Sequence, residues 1–203
     1  MIFCIKEIIS LQIIDLLSEM LESSVKFLKC VRCGSNLELD VFKLDHEIKE
    51  GILECKKCNL VFPIIDKIPI LWDDFSKYLS SRRILGGKLY LLANTGKMKK
   101  FLKFSLSKTK RINDDRTATE ERWSKIYQSN KNSKFYSVIK KNLNFIAKSK
   151  LVLEYGCSIG VITSYLADSH DMVFGIDRSF SALWYAKKSF KNNLDYIVAD
   201  SLS

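Results

Sequence analysis

Two groups of residues combine type and spacing in ways that can do chemistry. The first is a pair of Cys-x-x-Cys steps, Cys30/Cys33 and Cys55/Cys58. Each step spans a tight turn that aims two sulfurs at one point. Two such turns brought together by hairpins give the tetrahedral S4 set that Zn2+ takes. Twenty-one residues separate the pairs, just beyond the usual ribbon spacing of about 15–20. Four protein ligands leave no open position, so a metal here is expected to be structural. Disulfides are the competing use of these cysteines, and a reducing compartment favours metal. His46, between the pairs, is expected at the surface.

The second group follows an apolar run near the C-terminus. Leu151-Val-Leu-Glu-Tyr-Gly-Cys-Ser-Ile-Gly160 reads as a buried strand, a glycine turn and a helix start. Gly156 permits the turn, Gly160 lets the helix approach the strand, and amides at the helix start can face a polar ligand. A Gly-x-x-x-Gly turn alone has little specificity. Met172–Ile176 forms the next strand, however, and Asp177 closes it 21 residues after Gly156. That matches the ~20-residue spacing of a carboxylate accepting from ribose hydroxyls. Asp195–Ala199 is a third strand, ending at Asp200. All three strand ends are expected along one crevice. Cys157, directly after a buried strand, is expected to pack and not to act as a nucleophile.

The elements that position these residues fall into four stretches. Residues 1–26 carry Ile2, Ile5, Ile9, Ile13, Leu16, Leu17 and Met20 at helical steps, which predicts an amphipathic helix unless translation starts at Met20. Residues 27–72 predict a compact β-rich ribbon, and residues 73–148 a basic helical connector. Residues 149–203 predict an alternating strand–helix unit with a parallel sheet. Within the connector, Thr117-Ala-Thr-Glu120 predicts a capping box opening a helix to about Gln128. Phe135, Val138, Ile139, Leu143 and Ile146 predict one face of a second helix. A further helix is expected from about Phe180 to Phe190.

Residues 27–72 resemble a known zinc-ribbon family, through Phe27-Leu-Lys-Cys30, Leu37, Gly51-Ile-Leu-Glu-Cys55 and Val61–Leu71. That family occurs as a free activator of tRNA and protein methyltransferases and as an N-terminal module on many methyltransferases. Val31 stands where Pro is usual, and Lys67 where Gly is usual, at a turn where a left-handed residue other than Gly is costly. Residues 151–203 resemble the class I S-adenosylmethionine-dependent methyltransferases. The resemblance implies an α/β, Rossmann-like methyltransferase sheet, expected to be truncated after strand three, and S-adenosylmethionine as cofactor. By the same resemblance, Glu154, Gly156, Ser158 and Gly160 lie beneath the methionine part, with Ser158 replacing the usual middle glycine. Asp177 is the ribose acid, and Arg178 covers the adenine. Asp200 accepts from the adenine amino group, and the amide of Ser201 or Leu202 meets a ring nitrogen. A nicotinamide-binding fold is the competing assignment, disfavoured by the Glu-x-Gly-Cys start and the acid after strand three. Catalytic residues are unknown, because the family places them beyond strand three.

The formal charge of +10 is concentrated: Phe75–Asn113 holds eleven Lys/Arg and no acid, and the rest carries 22 basic and 23 acidic residues. Three uses of this stretch compete. One is RNA binding by cations and interleaved aromatics. Another is an anionic membrane surface entered by Met98, Phe101 and Leu102. The third is a solvated linker. No apolar run reaches the ~20 residues of a membrane span. Lys6 is the only basic residue among the first twenty, which leaves no charged leader, so a cytoplasmic location is expected. Two functions follow. The first is a methyltransferase of unidentified acceptor (small molecule, lipid or RNA), expected to be a fragment of a longer enzyme that does not turn over alone. The second is a non-catalytic ribbon module that completes or regulates a partner methyltransferase. In either case the first strand, Leu151–Tyr155, is expected at an open apolar sheet edge that a partner chain could complete.

Overall fold

The computed structural model describes residues 24–110, 114–143, 145–188 and 191–200. The helix predicted over residues 2–21 and the site position Ser201 lie outside them. Four strands open the fold: β1 (Glu38–Asp45), β2 (Glu47–Cys55), β3 (Leu60–Ile65) and β4 (Ile68–Leu71). They pair antiparallel in order. Each reversal is tight. His46 turns β1 into β2 at φ 52°, and Asp66 and Lys67 turn β3 into β4 at φ 48° and 70°. Lys67 therefore does occupy a left-handed position where glycine is favoured.

Three strands follow in the C-terminal part: β5 (Val152–Tyr155), β6 (Val173–Asp177) and β7 (Leu194–Ala199). Helices α6 (Val161–Leu166) and α7 (Phe180–Ala186) connect them, and all three strands run parallel. The sequence leaves one feature unannounced. The last ribbon strand, β4, pairs in parallel with β7 through Ile70↔Val198 and Leu71↔Ala199. The ribbon and the C-terminal unit thus share one seven-stranded α/β sheet, ordered β1-β2-β3-β4-β7-β6-β5.

Strand alternation loads both faces of this sheet. Ile65, Ile70, Val173, Tyr196 and Val198 face a core shared with the helices. Ile64, Leu71, Phe174 and Ile197 face a second core, shared with Leu28, Cys30 and Cys55 of the cysteine turns. Phe27 closes that side edge-on to Phe174, with ring centroids 6.0 Å apart.

The connector folds as α1 (Phe75–Ser80), α2 (Arg83–Leu92), α3 (Gly96–Ser107), α4 (Arg116–Asn130) and α5 (Lys134–Leu143). Asp74, Thr95 and Asp115 cap α1, α3 and α4 by accepting from backbone amides. The predicted capping box is therefore corrected. Asp115 is the cap, and Thr117 is buried inside the helix, where its hydroxyl accepts from the Leu85 amide. Glu120 reaches Arg82 instead of its own helix start. Tertiary partners outcompeted the local pairing. Helix α7 ends at Ala186, short of the expected Phe190. In α5, Phe135 and Val138 remain exposed, as does Ile146 beyond its end, so the predicted apolar face is only partly used.

The membrane use of the connector is corrected too. Met98 and Leu102 are fully buried in the core, and Phe101 packs on Phe75 at 5.7 Å between centroids. Those residues cannot enter lipid while α3 stays packed on α1 and α2. Lys99, Lys100 and Lys103 line its outer face. Among the described residues no helix is long and apolar enough to cross a membrane.

Candidate functional site

The four predicted metal ligands converge. The sulfurs of Cys30, Cys33, Cys55 and Cys58 all lie within 4.8 Å of one another, and none of these cysteines is in a disulfide. Each pair sits on a turn closed by a left-handed residue, Gly34 at φ 69° and Asn59 at φ 52°. In the first turn the Cys30 amide donates to Ser35 O, and the Gly34 amide donates back to Cys30 O. The second turn joins β2 to β3, so sheet register fixes its place.

Donor chemistry tests the fit. Cys33 and Cys55 sulfurs are 3.6 Å apart, close to the edge of about 3.8 Å that a tetrahedron with Zn–S bonds of about 2.3 Å requires. The thiols are unequal. The Ser35 hydroxyl draws Cys33 down to about 6. Its neighbour Cys58, sharing a proton with that sulfur, is pushed up to about 12. Burial raises Cys55. The Cys33 thiolate opposes ionisation of Cys55 and Cys58 at this spacing, a conflict that a dication at the centre removes by deprotonating the set. The residues fit a structural zinc. His46 is not among the converging ligands.

The second group gathers at the C-terminal ends of the parallel strands, where ligands bind in open α/β sheets. Gly156 and Gly160 adopt φ 72° and 69°, and a Cβ on Gly160 would lie 2.3 Å from the Tyr196 hydroxyl. Helix α6 can therefore start only from a glycine at this point. Ser158 holds φ 52° without being glycine. Its amide donates to Asp177 Oδ2 at 2.9 Å, and the Ser179 amide donates to Asp177 Oδ1 at 2.8 Å. Asp177 thus ties the glycine turn after β5 to the turn after β6, and each carboxylate oxygen keeps a second lone pair for another donor.

Register places Asp177 beside Val198, two residues before Asp200. Asp177 and Asp200 therefore stand at the same end of neighbouring strands, Asp200 just past the last residue of β7. Arg178 is exposed over this turn. Glu154, on β5, accepts from the Thr163 hydroxyl at 2.5 Å. Burial raises its carboxyl above the usual range, against that hydrogen bond. Cys157 is buried, and burial pushes its thiol up, so it packs as expected.

Two cavities lie away from this crevice. One of about 370 Å³ runs between the ribbon and β6/β7, near Ile48, Lys67 and Phe174. The other, of about 420 Å³, opens between α2, α4 and α7 around Leu91, Lys125 and Trp184.

Two residues beside the crevice, Tyr78 and Arg82, read in the sequence only as an aromatic and a cation of the basic stretch. Tyr78 of α1 is buried, donates to Arg178 O at 3.2 Å and accepts from the Phe180 amide at 3.3 Å. The Arg82 guanidinium lies 4.3 Å from the Tyr78 ring centroid and pairs with Glu120 at 2.7 Å. A tyrosine about a hundred residues upstream of the turn it binds has no local pattern to mark it.

The Trm112p-like protein family profile matches residues 25–66. A UPF0434 protein of Dechloromonas aromatica (strain RCB) is 41% identical over 54 residues, 27% of this chain and 81% of that protein. The chain belongs to the Trm112p-like family. Its Trm112p-like region accounts for the cysteine turns and β1–β3; the rest of the sheet lies beyond the match. Among solved structures, a TehB-like SAM-dependent methyltransferase from Corynebacterium glutamicum ATCC 13032 Kitasato aligns with a TM-score of 0.34 and 23% identity, over 41% of this chain and 46% of that one. A complex of the Haloferax volcanii Trm112 methyltransferase activator with a candidate methyltransferase aligns with a TM-score of 0.36 and 18% identity, over 41% and 39%. The chain spans less than half the length of either solved chain.

Proposed function

We propose that this chain is the cofactor-binding part of an S-adenosylmethionine-dependent methyltransferase, carried on a zinc-bearing Trm112p-like ribbon. The observation that carries this reading is the pairing of two acids at adjacent strand ends. Asp177 closes β6 beside the Gly156–Gly160 turn, and Asp200 directly follows β7, the neighbouring strand. A nucleoside laid across those ends would give its ribose hydroxyls to Asp177 and its adenine amino group to Asp200, with Arg178 over the base. The methionine tail would lie on the glycine turn near Glu154, with the Ser158 backbone close by. Methyl transfer from a sulfonium needs mainly positioning, because the methyl group is already activated. The residues that would bind the acceptor and assist its attack are unassigned.

Calorimetry with S-adenosylhomocysteine tests this directly. Binding is expected, and Asp177→Ala should weaken it at least tenfold, about 1.4 kcal/mol or more, as expected for a lost hydrogen bond to a charged group. Heat with NAD and none with S-adenosylhomocysteine would transfer the site to nicotinamide chemistry.

One observation favours a second function, completion of a partner methyltransferase. Strand β5 is the edge of the sheet, and Leu153 and Tyr155 on it, with Leu151 just before it, are 42–61% exposed. An uncovered apolar edge pairs readily with another strand. Sedimentation of the chain with and without S-adenosylhomocysteine separates the two. A ligand-binding monomer supports the enzyme reading, and ligand binding only in a hetero-complex supports the module.

A further inference from the structure

The turn that carries Asp177 is pinned from two directions. On one side the carboxylate accepts from the Ser158 and Ser179 amides. On the other, the Tyr78 hydroxyl bridges Arg178 O and the Phe180 amide, at 3.2 and 3.3 Å. Those two backbone groups flank the segment immediately after Asp177, so the hydroxyl holds the turn's carbonyl and its closing amide in one geometry. Tyr78 is itself immobilised. It is 1% exposed, it packs on Trp72 with centroids 4.9 Å apart, and the Arg82 guanidinium covers its ring. Arg82 is held in turn by Glu120, through its Nε and Nη2 groups at 3.1 and 2.7 Å. A continuous chain of contacts therefore runs from α4 through α2 and α1 to the acid-bearing turn.

We propose that Tyr78 is a positioning residue for the nucleoside site: its hydroxyl sets the Asp177–Phe180 turn so that the carboxylate can accept from both ribose hydroxyls, which makes cofactor affinity depend on the helical connector. This rests on the nucleoside reading above. A site that grips a diol must hold its acceptor within a few tenths of an ångström. A turn fixed only by its own amides can rock about the carboxylate they bond. The Tyr78 bridge removes that freedom from outside the turn.

The test compares S-adenosylhomocysteine with its 2′-deoxy analogue, by calorimetry, on the chain and on Tyr78→Phe. The unaltered chain should prefer the hydroxylated ligand about tenfold, the worth of one charged hydrogen bond. In Tyr78→Phe the affinity for S-adenosylhomocysteine should fall about three- to tenfold, while the deoxy analogue, which has only its 3′-hydroxyl left to give Asp177, should fall by clearly less, so the preference narrows. A purely structural role would weaken both ligands equally; that result, or an unchanged preference, overturns the proposal. Binding of neither ligand by the unaltered chain overturns the nucleoside reading and this inference with it. Should Tyr78→Phe fail to fold, the unaltered chain still decides the matter. Exchange of the Ser179 and Phe180 amide hydrogens should slow when S-adenosylhomocysteine is added, and unchanged exchange counts against the proposal.

Discussion

Lys67 and Ser158 each hold a left-handed backbone, φ 70° and 52°, where a Cβ is a burden. A residue other than Gly in that region costs about 1 kcal/mol or more. Lys67→Gly should therefore raise the melting temperature of the chain by a few degrees, against a partial offset from glycine's entropy. Differential scanning calorimetry reads this directly. Only a weak contact of Lys67 with Glu47, at 3.9 Å, is lost. Ser158 differs because it abuts the crevice and donates to Asp177, so its strain sits beside a candidate ligand. Glu50 gives a second residue-scale expectation. It is fully buried on β2, and burial pushes its carboxyl up. Bonds from the Asn94 amide and side chain and from the Thr95 amide overcome that and hold it below the usual value. A carboxyl depressed in the folded state stabilises above its unfolded value of about 4.3, and the contribution fades as pH falls through the folded value. Chemical unfolding below about pH 4.5 should show stability declining with acidification. Glu50→Gln should start lower at neutral pH and decline less steeply.

At the scale of elements, the C-terminal end of α7 fastens the ribbon to the parallel half. Lys187, at its C-terminal cap, lies 2.8 Å from Glu47 of β2 and 2.8 Å from Asp195 of β7. Burial opposes its charge, but the two acids overcome this and hold the ammonium above its usual value. Trp184 in the same helix donates its indole N–H to Asp66, in the β3–β4 turn, at 2.8 Å. Lys187→Met leaves two carboxylates facing each other with little water. Breaking a buried ion pair costs about 3–5 kcal/mol, and these acids are partly exposed, so the lower end is expected in denaturant unfolding. Helix α3 shows why composition left the use of the connector open. Its lysines face outward, while Met98, Leu102 and Ser105 face the core. A basic amphipathic helix looks the same in sequence whether its apolar face meets lipid or its own protein core.

At the scale of the whole molecule, the β4–β7 pairing makes the cysteine turns part of one sheet with the strand ends that carry Asp177 and Asp200. The cysteine turns also pack on Phe174 and Ile197 of the C-terminal strands. Loss of metal from the ribbon should then be felt beyond it. With zinc bound, thermal unfolding followed by Trp184 fluorescence in a Trp72→Phe, Trp123→Phe background and by cysteine accessibility should give one coincident transition. A strong chelator, or Cys58→Ser, should lower that transition by many degrees, because site energy in such ribbons is folding energy. A ribbon that melts alone, leaving the Trp184 signal in place, would mean that the shared sheet does not transmit.

Sequence alone determined the pieces whose logic is local. The cysteine spacing gave the four-sulfur site, because two residues between ligands fix one turn geometry. The three short apolar runs gave β5, β6 and β7, each ending where its acid or glycine predicted. The edge position of Leu151–Tyr155 also followed, from the strand order expected of such sheets. Tertiary structure decided how the pieces join. Parallel pairing of β4 with β7 depends on backbone groups that every residue carries, so no side chain announces it. The same holds for Thr117 and Glu120, whose partners at Leu85 and Arg82 lie over thirty residues away. Tyr78 reached the Asp177 turn only because folding laid α1 across the end of the sheet, and contacts that distant leave no periodicity to read.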